Sequence, residues 1–168
     1  YLDPDFTPTE GPDIDKAFIT KTAEAIAKAL PDTLTAPTPK VRKILVVTTG
    51  TMGPLHTPGA DGAILLLRES AKKYQAFTLT ECYNENMITA DMLREYDAVV
   101  LNSVGQAYNP RLYNELLPEY VRNGGGLLAT HGATLPFRTD PAAEYNKMLG
   151  AYVTQEKNVH PQGHGKLF

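Results

Sequence analysis

The stretch Asn123-Gly124-Gly125-Gly126-Leu127-Leu128-Ala129-Thr130-His131-Gly132-Ala133 decides how this chain folds. Its glycines end a helix, a short apolar run follows as a buried strand, and a histidine closes the strand between small residues. The spacing Ala129-x-His131-x-Ala133 mimics the small-x-nucleophile-x-small elbow, a sharp strand-to-helix turn that lifts one side chain over the edge of an α/β sheet. Imidazole there cannot do what serine or cysteine does. It can serve as base, acid or metal ligand.

Strand and helix alternate on both sides of this elbow. Lys43 to Thr48 is a continuous apolar run of the kind found in a parallel strand covered on both faces. Asp61 to Tyr74 reads as a helix with Ala63, Leu66, Leu67 and Ala71 inward, and Phe77 to Cys82 alternates as a second strand. Thr89 caps a short helix to Glu95, and Tyr96 to Leu101 is a third strand. A helix opens on Pro110 and runs to Arg122, Leu127 to Thr130 is the fourth strand, and a last helix spans Pro141 to Leu149 with Asp140 as its cap. Ala151 to Thr154 reads as one more strand. This order predicts a doubly wound, mainly parallel α/β sheet, whose ligands bind at the carboxyl ends of the strands.

Residues 1–40 are expected to form a separate N-terminal part. It comprises a Pro-, Thr- and acid-rich arm, an amphipathic helix from Asp13 to Leu30, and a proline-rich linker from Pro31 to Lys40. The helix carries Ile14, Ala17, Phe18, Ala25, Ile26, Ala29 and Leu30 at helical spacing, and is expected to cover the main domain or a partner. Residues 41–168 form the α/β domain. Its abrupt Leu167-Phe168 end predicts a domain truncated at its C-terminus or completed by a second chain or a homo-oligomer. The absent initiator Met points to upstream processing, by export to the periplasm or medium or by proteolysis.

At 168 residues and 42% hydrophobic content the chain suits one domain with a normal core. A net charge of -3 gives no global basic field for nucleic acid. No apolar run approaches the roughly 18 to 20 residues that a membrane span needs. The single cysteine, Cys82, excludes an intrachain disulfide and reads as a small buried hydrophobe.

All four histidines fall in expected loops. His56 follows the first strand, His131 ends the fourth, and His160 and His164 lie near the C-terminus. His56, His131 and His160 are therefore candidate metal ligands, with zinc the divalent ion best suited to imidazole donors; a metal-free polar role for His131 stays open. Glu144 is the candidate carboxylate partner of His131. Thr49 and Gly50, in the loop after the first strand, offer hydroxyl and backbone donors to a sugar or carboxylate. Asn102 and Ser103 follow the third strand and suit hydroxyl-rich ligands, or form a turn. Tyr145 is either core or a substrate-facing ring. Neither GxxxxGK[ST] nor GxGxxG is present, so no nucleotide or flavin is expected.

Lys43 to Thr49, Tyr96 to Asn102, Tyr120 to Ala133 and Glu144 to Gly150 together resemble the ThuA-like, or trehalose-utilisation, family. The most specific element is the GGG-L-x-x-x-H-x-A block followed by Glu-Tyr and Leu-Gly. The resemblance implies a flavodoxin-like, class I glutamine amidotransferase-like fold with histidine in place of the nucleophilic cysteine, hence no amidotransferase activity. It also implies a part in the catabolism of trehalose or related disaccharides and keto-glycosides. His131 matches the family's elbow histidine, His56 the histidine after strand one, Glu144-Tyr145 the Glu-Tyr segment and His160-Pro161 the later His-Pro. The family's usual tryptophan before Glu-Tyr is missing, as is the C-terminal part of its domain. The expectation is a sugar-processing hydrolase, lyase or isomerase centred on His131, with or without a metal. The alternative is a non-catalytic carbohydrate-binding or assembly subunit.

Overall fold

Leucine and β-branched residues build the first strand, β1 (Arg42–Val47), and suit it to burial on both faces. In the computed structural model, which describes residues 16–34, 39–49, 57–102, 109–137 and 140–152, β1 is an inner strand of a four-stranded sheet. Its companions are β2 (Phe77–Cys82), β3 (Ala98–Asn102) and β4 (Gly126–Thr130). The order is β2-β1-β3-β4 and every pairing is parallel. The chain thus winds outward in both directions from the boundary between β1 and β3. Such a reversal opens a crevice above the carboxyl ends of those two strands. The expected flavodoxin-like α/β arrangement is the one observed.

Helices cover both faces. Under α2 (Thr57–Tyr74), Ile64 packs with Val46 and Val100, flanked by Ile44, Leu67, Leu79 and Tyr83. The opposite face holds the larger core, in which Leu45, Val47, Cys82, Val99 and Leu101 meet Leu93 of α3 (Ala90–Leu93). Leu112, Tyr113 and Leu117 complete that core together with Tyr145 of α5 (Glu144–Leu149). The N-terminal helix α1 (Lys16–Ala29) lies against α2, where Lys73 Nζ donates to the Leu30 carbonyl at 2.9 Å and the Tyr74 hydroxyl donates to the Pro31 carbonyl at 2.5 Å.

Residues 110–122 form one continuous helix, opened by Asn109, whose Oδ1 accepts the Leu112 N–H at 3.3 Å. Leu112–Leu116 is wound as a π turn before α4 (Leu117–Arg122). Pro118 has no N–H and its ring would press on the carbonyl of Asn114, so the wider turn ahead of it relieves the clash. Past the helix, Gly124 takes φ +94 as a left-handed terminator. Gly125 leaves room for the Tyr120 ring, which a Cβ there would meet at 2.2 Å. The Tyr120 hydroxyl reaches across to donate to the Tyr96 carbonyl at 3.0 Å.

Several expectations are corrected. The helix expected from Asp61 starts at Thr57, and its inward stripe runs through Ala60, Ile64 and Leu67, while Leu66 is 45% exposed. In α1, Ala25 and Ala29 are exposed and Thr22, Ala23 and Ile26 are half-buried, so the contact stripe is rotated from the expected one. The last helix begins at Glu144 rather than Pro141, because Ala143 is still extended at φ -57, ψ 130. Asp140 caps no helix there; its Oδ1 accepts the Ala142 N–H at 2.9 Å and closes a local turn. Leu128 is 54% exposed, since it lies on the face of β4 opposite Leu127 and Ala129, which pack against the larger core. Ala151 and Tyr152 are exposed and outside any strand, and the rest of the strand expected at 151–154 lies outside the described residues.

Candidate functional site

The elbow is present. β4 ends at Thr130, and a short 3-10 turn (His131–Thr134) begins with His131 at φ +45, a left-handed backbone that side-chain-bearing residues rarely adopt. Such strain costs on the order of 1 kcal/mol and persists where the surroundings enforce it. Here the Thr130 hydroxyl donates to the Leu101 carbonyl at 3.2 Å and the Thr134 hydroxyl donates to the His131 carbonyl at 3.0 Å. The Leu135 N–H closes the turn on the Gly132 carbonyl at 2.9 Å. Gly132 and Ala133 are buried and His131 is exposed, so the small flanking residues sink into the fold and leave the histidine at the surface of the carboxyl edge.

The neighbouring strand ends are tied together. Asn102, the last residue of β3, is 1% exposed; its Nδ2 donates to the Thr48 hydroxyl at 3.2 Å and to the Ala60 carbonyl at 2.9 Å. This amide spans the β1/β3 reversal and fixes the start of α2 over it. Thr49 is buried and donates its hydroxyl to Glu85 Oε1 at 2.8 Å. Glu85, 2% exposed, also accepts the Asn109 N–H on Oε2 at 3.1 Å, so one carboxylate joins the chain segments following β1, β2 and β3. Burial, and after it the Glu85 charge, push the nearby Tyr113 phenol above its ordinary range. Nothing in the sequence marked Glu85 beyond an acidic residue one turn past a strand end, beside Asn84, which caps the short Glu85–Met87 turn.

Tyr145 is fully buried, edge-on to Tyr113 at 5.2 Å and tilted against Phe137 at 6.2 Å between ring centroids. Its hydroxyl donates to the Ala133 carbonyl, which braces the elbow from below. Glu144 carries two ion pairs instead, with Lys147 and with Arg122, each at 2.8 Å. The Lys147 contact, helped by Arg122, lowers its carboxyl below the usual carboxylate range. Arg122 lies in the last turn of α4, just ahead of the amino end of β4, so its pair with Glu144 binds α5 to α4, while the Lys147 pair lies within α5. Cys82 is buried in the core, as expected of a small hydrophobe, and burial raises its thiol pKa.

Gly50, His56, Ser103, His160 and His164 lie outside the described residues. Among the described residues, no group of three His, Cys, Asp or Glu side chains could hold a metal ion, and no helix is long and apolar enough to cross a membrane.

A second polar group at this edge escaped the sequence reading. Asp61, in the second turn of α2 beside Ala60, has a buried Oδ2 with no hydrogen-bond partner. Burial pushes its carboxyl up to about 6. Nearby, Arg68 clasps Glu81 through Nε at 2.6 Å and Nη2 at 2.9 Å, and the Tyr83 hydroxyl donates to Glu81 Oε2 at 2.6 Å. In the sequence Asp61 looked like no more than the first residue of a helix, a common place for an acidic side chain.

Fold and elbow define a flavodoxin-like α/β protein that carries histidine where related architectures hold a nucleophile. The chain belongs to the ThuA family, described as trehalose utilisation, whose model matches residues 43–166. No curated protein and no solved structure matches it.

Proposed function

We propose that this chain is a sugar-processing enzyme of trehalose or related disaccharide and keto-glycoside catabolism, with His131 as its central acid–base group. The observation that carries the reading is the strained, exposed and braced His131 at the end of β4, in a chain of the trehalose-utilisation family. Imidazole gives or takes a proton between pH 5 and 8, roughly the range in which a sugar hydroxyl or keto group needs help. Its lack of an acyl-transfer nucleophile predicts no glutaminase activity. In a metal-assisted form of the same proposal, His131 shares a divalent ion, zinc for imidazole donors, with His56 and His160. The ion would polarise a sugar oxygen.

The test uses trehalose and its 3-keto derivative as substrates, with products followed by chromatography. The parent turns over at least one of them, and His131→Ala abolishes turnover while circular dichroism stays that of the parent. Full activity in His131→Ala overturns the role of His131. A parent inert towards both sugars overturns the enzyme reading. Metal analysis of the purified parent, with dialysis against a chelator, separates the metal-assisted form from the metal-free one.

A further inference from the structure

Among the described residues, three polar side chains expected to meet a ligand at the carboxyl edge are already engaged. Thr49 donates to Glu85, Asn102 donates to Thr48 and Ala60, and Tyr145 donates to Ala133. Asp61 differs. It follows Ala60, whose carbonyl Asn102 holds at the end of β3, and its Oδ2 is buried without a hydrogen bond. The Arg68 guanidinium two turns along α2 and the Tyr83 hydroxyl both donate to Glu81. A desolvated carboxylate with an empty acceptor is costly unless a donor arrives, and a hydrogen bond to a charged group is the stronger kind.

We infer that Asp61 is a ligand-binding residue of the carboxyl-edge site, its carboxylate accepting hydrogen bonds from hydroxyl groups of a bound sugar. The inference rests on the sugar-processing reading and adds to it a residue that neither the family match nor the sequence pattern assigns. A carboxylate only accepts, so the ligand must present donors; a polyol does so with adjacent hydroxyls, whereas an anion is repelled. Asn102, which holds the carbonyl just before Asp61, pairs in register with Thr130, the residue before His131.

The site also carries a pH signature. Among the described residues, the charged and titratable groups of its surroundings are Glu81 and Tyr83, at and just beyond the end of β2, and Arg68 on α2. Glu81 and Arg68 neutralise one another, and burial raises the Tyr83 phenol so that it stays neutral. Burial pushes the Asp61 carboxyl up to about 6, so its charge changes in mildly acid solution. Donors from a sugar favour its charged form, so binding strengthens above that pH and weakens below it.

Calorimetric titration of the full chain with trehalose at pH 5 and pH 7.5 tests this. Parent affinity falls by about tenfold towards the acid end, Asp61→Asn loses about tenfold or more at pH 7.5, and the variant's remaining affinity no longer varies with pH. In the parent, the Asp61 carboxyl carbon titrates near 6 by NMR, and trehalose moves its midpoint down. That second measurement decides the matter if Asp61→Asn fails to fold. Parent-like binding by Asp61→Asn, or an Asp61 midpoint unmoved by a sugar that binds, overturns the Asp61 assignment and leaves the His131 reading standing. A parent that binds no trehalose at either pH overturns the assignment together with the sugar reading of the site.

Discussion

The Tyr145 hydroxyl donates to the Ala133 carbonyl at 2.5 Å, from a ring that is fully buried in α5 to the backbone two residues past His131. One hydrogen bond thus holds the exposed histidine's turn against the aromatic core. Tyr145→Phe keeps the ring packing and leaves that carbonyl short of a donor. The expected cost is about 1–2 kcal/mol in urea unfolding, and His131 backbone amide exchange should quicken by more than the global loss of stability explains. Unchanged stability and exchange would show that the elbow stands without this brace.

His131 at φ +45 makes a second prediction that separates strain from chemistry. Glycine adopts this backbone freely, so His131→Gly should be more stable than His131→Ala by about 1 kcal/mol. Both should lack turnover. Equal stabilities in chemical denaturation would remove the strain from the account of the elbow.

A Cβ on Gly125 would collide with the Tyr120 ring, which the core holds in place and which is hydrogen-bonded to Tyr96. Gly125→Ala should cost about 2–3 kcal/mol, the scale of overpacking in a closed core. At Gly59, in the first turn of α2, a Cβ meets nothing within 4 Å. Gly59→Ala should therefore be neutral or stabilise by up to about 1 kcal/mol, through helix propensity. Melting temperatures of the two variants rank the positions directly.

Asp61 gives the pH dependence a sign. Its carboxyl moves from 3.8 to about 6 on folding, so between those values the folded chain holds more protons than the unfolded one. Stability from this group is full below the lower value and lost as pH rises through the upper one. At pH 7.5, Asp61→Asn should be more stable than the parent by about 1–2 kcal/mol, solvent screening keeping the gain below the full shift. The advantage should vanish by about pH 4. A variant that is more stable yet binds sugar less well is the usual mark of a functional residue kept at a cost to the fold. A variant no more stable than the parent at either pH would show that Asp61 is not desolvated in solution.

Much of the fold was legible because each strand announces itself locally. The apolar run at Lys43 to Thr48 and the alternation at Phe77 to Cys82 match the observed strands to within a residue. Thr89 caps its helix as read, accepting the Met92 N–H at 3.1 Å. Errors came where a distant partner chooses between local options. Leu66 and Leu67 are equally apolar, and only the position of the sheet turns one of them out. Leu128 looks like core, yet it lies on the face of β4 turned away from the larger core.

Local signals settled what the chain could settle alone: element order, the glycines that end the helix, and a histidine lodged between small residues at a strand end. Those signals work because propensity, capping and turn sterics act over a few residues. Tertiary structure decided which polar groups remain available to a ligand. Thr49, Asn102 and Tyr145 are taken up by Glu85, Thr48, Ala60 and Ala133, whereas Asp61 is left with an unmet oxygen. A hydrogen bond between residues far apart in the chain depends on how the strands are ordered, and burial depends on everything packed around a group, so neither is written in any one stretch of sequence.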